Sequence, residues 1–326
     1  MSKFTRRLQK IGSSILVSLP KEWVDTHNIG KGSQVQIETA ENSLSITAGE
    51  GKKMSKEIEI SYPLPIEENI AANITGAYLL GYDVITIRGK STISVKDREV
   101  IRESMRRLVG MEILDEDASN VNGQFLLDET SLNPEKIFKR MSSIALGMFN
   151  ETLSALRTDD KTNLQTIPNR DDEINRQYFL LVRFIRSTMV DRRLAGIFNL
   201  ENIDILDYRI AGNILETAGD TIVDLSKSIT DTSLSGTDQK KIYDIAKDIE
   251  KIQKKSIDAF ITNNRSLAIE AIKLHGQHQE KVSKIRSSLK HKKQTPIAFL
   301  DLIYIFEKIA QSWSDISDLV QPTYRK

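Results

Sequence analysis

Apolar and polar residues alternate in short runs over residues 1–50. An alternation with a period of two predicts short β-strands, because successive side chains of a strand point to opposite faces. Fifty residues of short strands cannot close a large core, so we expect a dimer whose two copies share one. The apolar positions are Ile15, Val17 and Leu19 before Pro20, then Val35 and Ile37, then Leu44 and Ile46.

Residues 57–130 mix two kinds of pattern. Alternation predicts strands at 58–60, 83–88, 112–114 and 124–127, and apolar residues at helical spacing predict helices at 66–80 and 97–109. The segment is therefore interpreted as a small α/β unit whose strand order the pattern does not fix.

From Asn133 onward the pattern is helical, and it repeats. Equivalent apolar positions are separated by about 104 residues in the first two helices and by about 91 in the third. The economical interpretation is two copies of a three-helix unit. Met141, Ala145 and Met148 correspond to Ile245, Ile249 and Ile252, and Leu215, Ala218 and Ile222 correspond to Phe306, Ile309 and Trp313.

These patterns together predict a multidomain α+β protein. We expect a β domain at residues 1–50, the α/β segment at 57–130, and an all-α pair of three-helix bundles at 133–232 and 237–322.

Composition narrows the class of protein. A hydrophobic content of 39% with 28% charged residues is ordinary for a globular chain. Without a long apolar run or an apolar leader, we expect a cytoplasmic protein with no transmembrane segment. The absence of cysteine excludes disulfides, Cys-ligated zinc, iron–sulfur clusters and thiol catalysis. No Ser/His/Asp or paired-carboxylate set stands out, so we expect no enzyme and no catalytic residues.

The chain as a whole is nearly neutral, with 46 basic and 45 acidic residues. A nucleic-acid binder of this composition must concentrate its positive charge locally. Arg6, Arg7 and Lys10 form such a cluster, and Ser13 and Ser14 follow as donors suited to phosphate. Residues 1–50 hold six basic and five acidic residues, which predicts modest affinity.

Three motifs in the first fifty residues resemble the AbrB/MazE/SpoVT family. They are Gly12-Ser13-Ser14 before an apolar strand, Leu19-Pro20-Lys21-Glu22-Trp23 at its end, and the turn Gly30-Lys31-Gly32. The resemblance implies a swapped-hairpin β-barrel, an obligate homodimer, and basic residues that face DNA. The alternative is a domain that only dimerises, with a solvated pair of arginines at a strand end.

An acidic row follows the helix predicted at 205–229. Glu216, Asp220 and Asp224 recur every four residues on the face opposite the apolar stripe. Like charges at this spacing are mildly unfavourable, so a cation or a basic neighbour would relieve them.

Three segments of the helical region resemble the PhoU family over roughly residues 135–320. They are Leu215-Glu-Thr-Ala-Gly-Asp220, Phe306-Glu-Lys-Ile-Ala-Gln311 and Asp171-Asp-Glu-Ile-Asn175. The resemblance implies a divalent or iron-type metal ion on the bundle surface. Its ligands would be Asp171, Asn175, Glu216 and Asp220 in the first repeat, and His275, Gln279, Glu307 and Gln311 in the second. Amides weaken the second set, because hard cations favour carboxylates. The alternative is a solvated acidic face, and His275 with His278 is interpreted as a surface pair.

The combination of the two motif sets resembles the fused phosphate-uptake regulators of archaea. It implies a DNA-binding transcriptional regulator of phosphate uptake and homeostasis, with DNA, a second copy, and phosphate-transporter components or a signalling protein as partners. The main alternative is a regulator that does not bind DNA and docks on a phosphate ABC transporter or a kinase. A metal-dependent hydrolase bundle is a third possibility, against which the amide substitutions stand.

Overall fold

The structure is a computed structural model that describes residues 4–40, 43–48, 55–158, 160–232, 236–289 and 297–320. The chain separates into two compact units, Met1–Ser55 and Lys56–Lys326. Small sheets and long helices confirm the expected α+β class. The four domain boundaries expected from the sequence stay predictions.

The first unit contains two antiparallel hairpins on either side of a short helix. Strands β1 (Gln9–Ile11) and β2 (Ser14–Leu16) form one hairpin, and β3 (Val35–Ala40) and β4 (Ser43–Ala48) form the other. Helix α1 (Lys21–Thr26) lies between them in the chain. Strand β2 ends at Leu16 and not at the predicted Leu19, because Gln9, the partner of Leu16, is the first residue of β1.

Apolar side chains of the first hairpin are open to solvent in the single chain. Leu8, Ile11 and Ile15 are 69%, 63% and 68% exposed. None of residues 4–40 whose side chains are described is buried. A hairpin that buries none of its apolar side chains gains little stability from its own chain.

The second unit begins with a four-stranded sheet. Its strands are β5 (Glu57–Tyr62), β6 (Val84–Gly89), β7 (Met111–Glu116) and β8 (Asn120–Phe125), in the order β5-β6-β8-β7. The β5–β6 pair is parallel and the other pairs are antiparallel. Helix α2 (Ile70–Leu79) supplies the crossover that a parallel pair requires, and α3 (Val95–Arg106) connects β6 to β7.

Side-chain caps and one glycine explain where these elements differ from the sequence prediction. Asn69 accepts hydrogen bonds from the backbone of the first turn of α2, so this helix begins at Ile70 and not at residue 66. Ser94 caps α3 in the same way. Strand β8 covers 120–125 and not 124–127, because Gly123 occupies a buried position where the pattern lacks an apolar residue. A Cβ there would lie 2.7 Å from the sulfur of Met105.

Six long helices form two sets of three, as the repeat predicted. The first set is α4 (Pro134–Thr158), α5 (Ile167–Val190) and α7 (Asn202–Asp231), with the short α6 (Arg192–Ile197) between the last two. The second set is α8 (Gly236–Thr262), α9 (Arg265–Leu289) and α10 (Ile297–Asp318). The three helices of each set contact one another, and the sets meet along α4 with α8 and α7 with α10.

One continuous apolar cluster runs through the sheet and both helix sets, from Ile60 in β5 to Ile316 in α10. Phe149 of α4 and Phe306 of α10 pack edge to face across the two sets, with ring centroids 6.1 Å apart. Within the described ranges, no helix is both long and apolar enough to cross a membrane.

Candidate functional site

The predicted DNA-contacting residues lie on and beside the β1–β2 hairpin. Arg6, Arg7 and Lys10 are exposed, and Ser13 and Ser14 lie at the turn and the start of β2. Arg6 lies over the Phe4 ring at 5.6 Å, and none of the three cations forms an ion pair with a carboxylate in the part of the chain that the structure describes. Their charges are therefore free to meet phosphate. The roles of these five residues stay a prediction.

The predicted acidic residues of the first repeat meet where α5 packs against α7. Asp171 of α5 is only 8% exposed, so it does not belong to a solvated face, whereas Asp220 of α7 is exposed and Glu216 is half-buried. The Asn175 side-chain amide donates to Asp171 Oδ2 at 3.2 Å. The second oxygen, Oδ1, is buried and has no hydrogen-bond donor. We call Asp171, Glu216 and Asp220 the acidic cluster.

Burial and neighbouring charges make the acidic cluster hold a proton. Burial, followed by repulsion from Asp220, a hydrogen bond with Asp220 and repulsion from Glu216, together raise the pKa of Asp171 to about 7. Burial also raises the pKa of Glu216, with Asp220 acting in the same direction and Arg209 against it.

Gly219 of α7 makes room for the Asp171 carboxyl. A Cβ at this position would lie 2.6 Å from Asp171 Oδ1 and 3.0 Å from Ile174 Cδ1, closer than side-chain carbons normally come. The close approach of the two helices, and with it the acidic cluster, therefore depends on a residue without a side chain.

We expect Gly219→Ala to lower the free energy of unfolding by about 1 to 3 kcal/mol, because the added carbon pushes against Asp171 in a packed interface. Chemical denaturation monitored by circular dichroism measures the change. The matched control is Gly276→Ala in α9, where an added Cβ meets no atom within 4 Å. That substitution should stabilise the chain by up to about 1 kcal/mol, since alanine favours helix. Equal effects of the two substitutions would contradict the account of Gly219.

The described residues do not fit a metal centre. Among them, no group of three or more His, Asp or Glu side chains is placed to hold an ion. In the second repeat, Glu307 is paired with Arg286, and Gln311 donates to Asp315 at 2.6 Å. In the first, Asn175 turns its amide nitrogen, and not its oxygen, toward Asp171. We therefore derive no chemistry through a metal.

The expectation that His275 and His278 form a surface pair is wrong. His275 is 7% exposed and His278 is fully buried. They share a face of α9 with Ala271 and Val282 at spacings of four, three and four residues, which is the pattern of a buried helix face. Burial lowers the pKa of His278 to about 4, although Asp248 and the Ile245 carbonyl favour its charged form.

Sequence reasoning missed Arg183, a fully buried arginine of α5. Its Nη1 donates to the backbone oxygens of Tyr78 and Tyr82, at 2.9 and 2.8 Å, and its Nη2 donates to Asp83 Oδ1 at 2.7 Å. Arg183 thereby joins the helices to the end of α2 and the start of β6. The available signal was a charged residue inside the apolar run 179–185.

Comparison with known families agrees with both sequence resemblances. Residues 138–229 match the PhoU domain family, and residues 8–50 match the family described as antidote-toxin recognition MazE, bacterial antitoxin. The first match covers most of the first helix set and the acidic cluster, and the second covers both hairpins. No curated protein matches the chain.

Two solved structures are similar to the chain. One is the phosphate transport system regulatory protein PhoU from Streptococcus pneumoniae, with 18% identity, a TM-score of 0.48, and coverage of 57% of this chain and 91% of that one. The other is PhoU from Pseudomonas aeruginosa, with 15% identity, a TM-score of 0.43, and coverage of 57% and 93%.

Proposed function

We propose that this chain, in which a MazE-type domain precedes a PhoU domain, is a dimeric, DNA-binding regulator of phosphate uptake in the cytoplasm. The link to phosphate rests on the PhoU domain at residues 138–229, and the link to DNA rests on the MazE-type domain at residues 8–50.

The observation that carries the proposal is the state of the first hairpin in a single chain. Leu8, Ile11 and Ile15 are exposed there, beside the exposed cations Arg6, Arg7 and Lys10. A second copy that interleaves its hairpins would bury the apolar side chains. It would also double the basic cluster about a two-fold axis, which gives the local positive charge that DNA binding requires.

In this proposal the basic residues bind the DNA backbone. Each cation that meets a phosphate releases condensed counterions, so affinity falls as salt rises. The hydroxyls of Ser13 and Ser14 donate to phosphate and set the position of the hairpin without reading the sequence.

The helical unit would supply regulation. An effector, a transporter component or a signalling protein that binds one state of the helices better than another would change DNA affinity, by no more than its differential affinity for the two states. Unchanged DNA affinity under every phosphate condition, and after deletion of residues 56–326, would refute this coupling.

We expect the triple substitution Arg6→Ala, Arg7→Ala, Lys10→Ala to weaken binding to duplex DNA about tenfold or more at low salt. It should also make the slope of log K against log salt shallower by up to about 5, for six lost phosphate contacts in a dimer. Fluorescence anisotropy with a random-sequence duplex and with DNA upstream of phosphate-transport genes measures both effects, and light scattering gives the oligomeric state.

The matched control removes the same charge elsewhere. Lys240, Lys251 and Lys254 of α8 are exposed and have no ion pair in the described ranges, so their triple alanine variant should bind DNA like the wild type. If the wild type does not bind at low salt, or if both triple variants lose equal affinity, DNA binding by the hairpin is refuted.

A second function is favoured by the charge of the first fifty residues, which hold six basic and five acidic residues. Such a balance suits a dimerisation domain that never meets DNA. The helical unit would then act by docking on a phosphate transporter or a kinase, and the basic-cluster variant would dock as the wild type does.

A further inference from the structure

A cleft of about 420 Å³ opens between the C-terminal half of α5, the short α6 and the N-terminal half of α7. Ile185, Ala195 and Ile205 lie at its floor as buried or half-buried side chains. Met189 and Leu206 lie at its rim and are 70% and 52% exposed. All five side chains are aliphatic or thioether, so the cleft favours an aliphatic occupant.

The buried hydroxyl in the cleft wall is already used. Thr188 is almost fully buried, and its Oγ1 donates to the Ile185 carbonyl of its own helix at 2.7 Å. A ligand that enters to this depth therefore leaves no polar group of Thr188 unsatisfied. An apolar chain can fill the floor at no cost in hydrogen bonds.

The lining of the cleft includes a positive charge. Arg209 is part of the lining, and its guanidinium carbon is 5.2 Å from the centre of the Tyr178 ring. Arg186 is exposed, and both arginines lower the pKa of the Tyr178 phenol against the raising effect of burial. Neither arginine forms an ion pair with a carboxylate in the residues that the structure describes.

We propose that this cleft binds a single-chain amphiphile with an anionic head group, of the chemical class of a medium-chain fatty carboxylate. The aliphatic chain packs on Ile185, Ala195 and Ile205, and the carboxylate pairs with Arg209. A second copy of this chain is a poor occupant, because a two-fold contact across this surface would bring arginines together.

A ligand in the cleft would act on the helical unit, and the inference stands whether or not the hairpin binds DNA.

The test is calorimetric titration of the full chain with sodium decanoate and with decan-1-ol, its neutral analogue, at concentrations to about 1 mM. We expect the wild type to bind decanoate about tenfold more tightly than decanol. Arg209→Gln should remove this preference while keeping decanol binding. Ala195→Leu, which fills the floor and leaves the arginine intact, should weaken both ligands about tenfold.

Controls separate this site from other surfaces. Arg157→Gln, at an exposed arginine of the last turn of α4, should bind both ligands as the wild type does. If decanoate does not bind the wild type, or binds the Arg209 and Ala195 variants as tightly as it binds the wild type, the proposal is wrong. Binding to phosphatidylglycerol vesicles without binding of free decanoate would also overturn it, because the surface would then be a membrane contact.

Discussion

Replacement of Arg183 by methionine is expected to lower the free energy of unfolding by about 3 to 5 kcal/mol. The side chain is fully buried, and its removal takes away the guanidinium that lies 2.7 Å from the Asp83 carboxylate and 3.7 Å from that of Glu129. Glu129 is itself 6% exposed, so its charge cannot turn to water. The measurement is guanidinium denaturation at fixed protein concentration, monitored by far-ultraviolet circular dichroism.

The geometry around Arg183 explains why so large an effect is expected. Its guanidinium donates at once to the Tyr78 carbonyl in the last turn of α2, to the Tyr82 carbonyl beyond that helix and to the Asp83 side chain. It also stacks on Phe125, with the guanidinium carbon 3.9 Å from the ring centre. Burial lowers the pKa of Arg183, and Asp83 and Glu129 act in the opposite direction. A buried cation with this many partners is costly to remove.

Three further variants test the cause of the stability loss expected for Arg183→Met. Arg183→Lys keeps the charge but cannot make all three hydrogen bonds, so an intermediate loss is expected. Adding Asp83→Asn and Glu129→Gln to Arg183→Met should recover part of the loss, because the two side chains that faced the guanidinium are then neutral. Arg186→Met, at an exposed position of the same helix, should change stability by no more than about 0.5 kcal/mol. A wild-type denaturation midpoint for Arg183→Met would contradict the whole account.

Asp171→Asn is expected to stabilise the protein at pH 8 by on the order of 2 kcal/mol and to have little effect at pH 4. The folded state raises the pKa of Asp171 from its ordinary value of 3.8 to about 7. The folded chain therefore keeps a proton that the unfolded chain releases, and the wild type loses stability as pH rises through this window. Asparagine resembles the protonated acid at every pH, so its advantage grows in the same window and is complete above pH 7.

A pH series of denaturation curves for chelator-treated protein measures this effect. Asp224→Asn, at an exposed acid four residues beyond Asp220, is the control and should show no such trend. The opposite sign, with Asp171→Asn less stable than the wild type at pH 8, would mean that the carboxylate is needed in its charged form. If added Mg²⁺ or Fe²⁺ then stabilises the wild type but not Asp171→Asn, a bound cation is the reason why the charged carboxylate is needed.

The helical half of the fold could be predicted from the sequence because each helix buries one face. Positions such as Met141, Ala145 and Met148 recur at three and four residues, and all are fully buried. The order of strands in a sheet has no comparable signal in the sequence. Alternation shows which residues of a strand face inward, but it does not show which strands are neighbours. The order β5-β6-β8-β7 therefore came only from the structure.

The candidate sites, too, could be predicted from the sequence only in part. The resemblance to PhoU placed Asp171 and Asp220 on the two helices that meet, but the burial of Asp171 depends on the space left by Gly219, which no spacing reveals. Arg183 takes its partner Asp83 from 100 residues away in the chain. A local pattern can show that a charged residue lies in an apolar run, but it cannot name the distant group that neutralises it.

The apolar cluster that runs without interruption from β5 to α10 has a consequence for how this region could be divided. Boundaries between domains usually fall at places in the chain that few contacts cross. Here, a cut between the two helix sets would expose the packed faces of α4 with α8 and α7 with α10, including the Phe149–Phe306 pair. Residues 56–320 would then be inherited, expressed and degraded as a whole, although their sequence records a duplication.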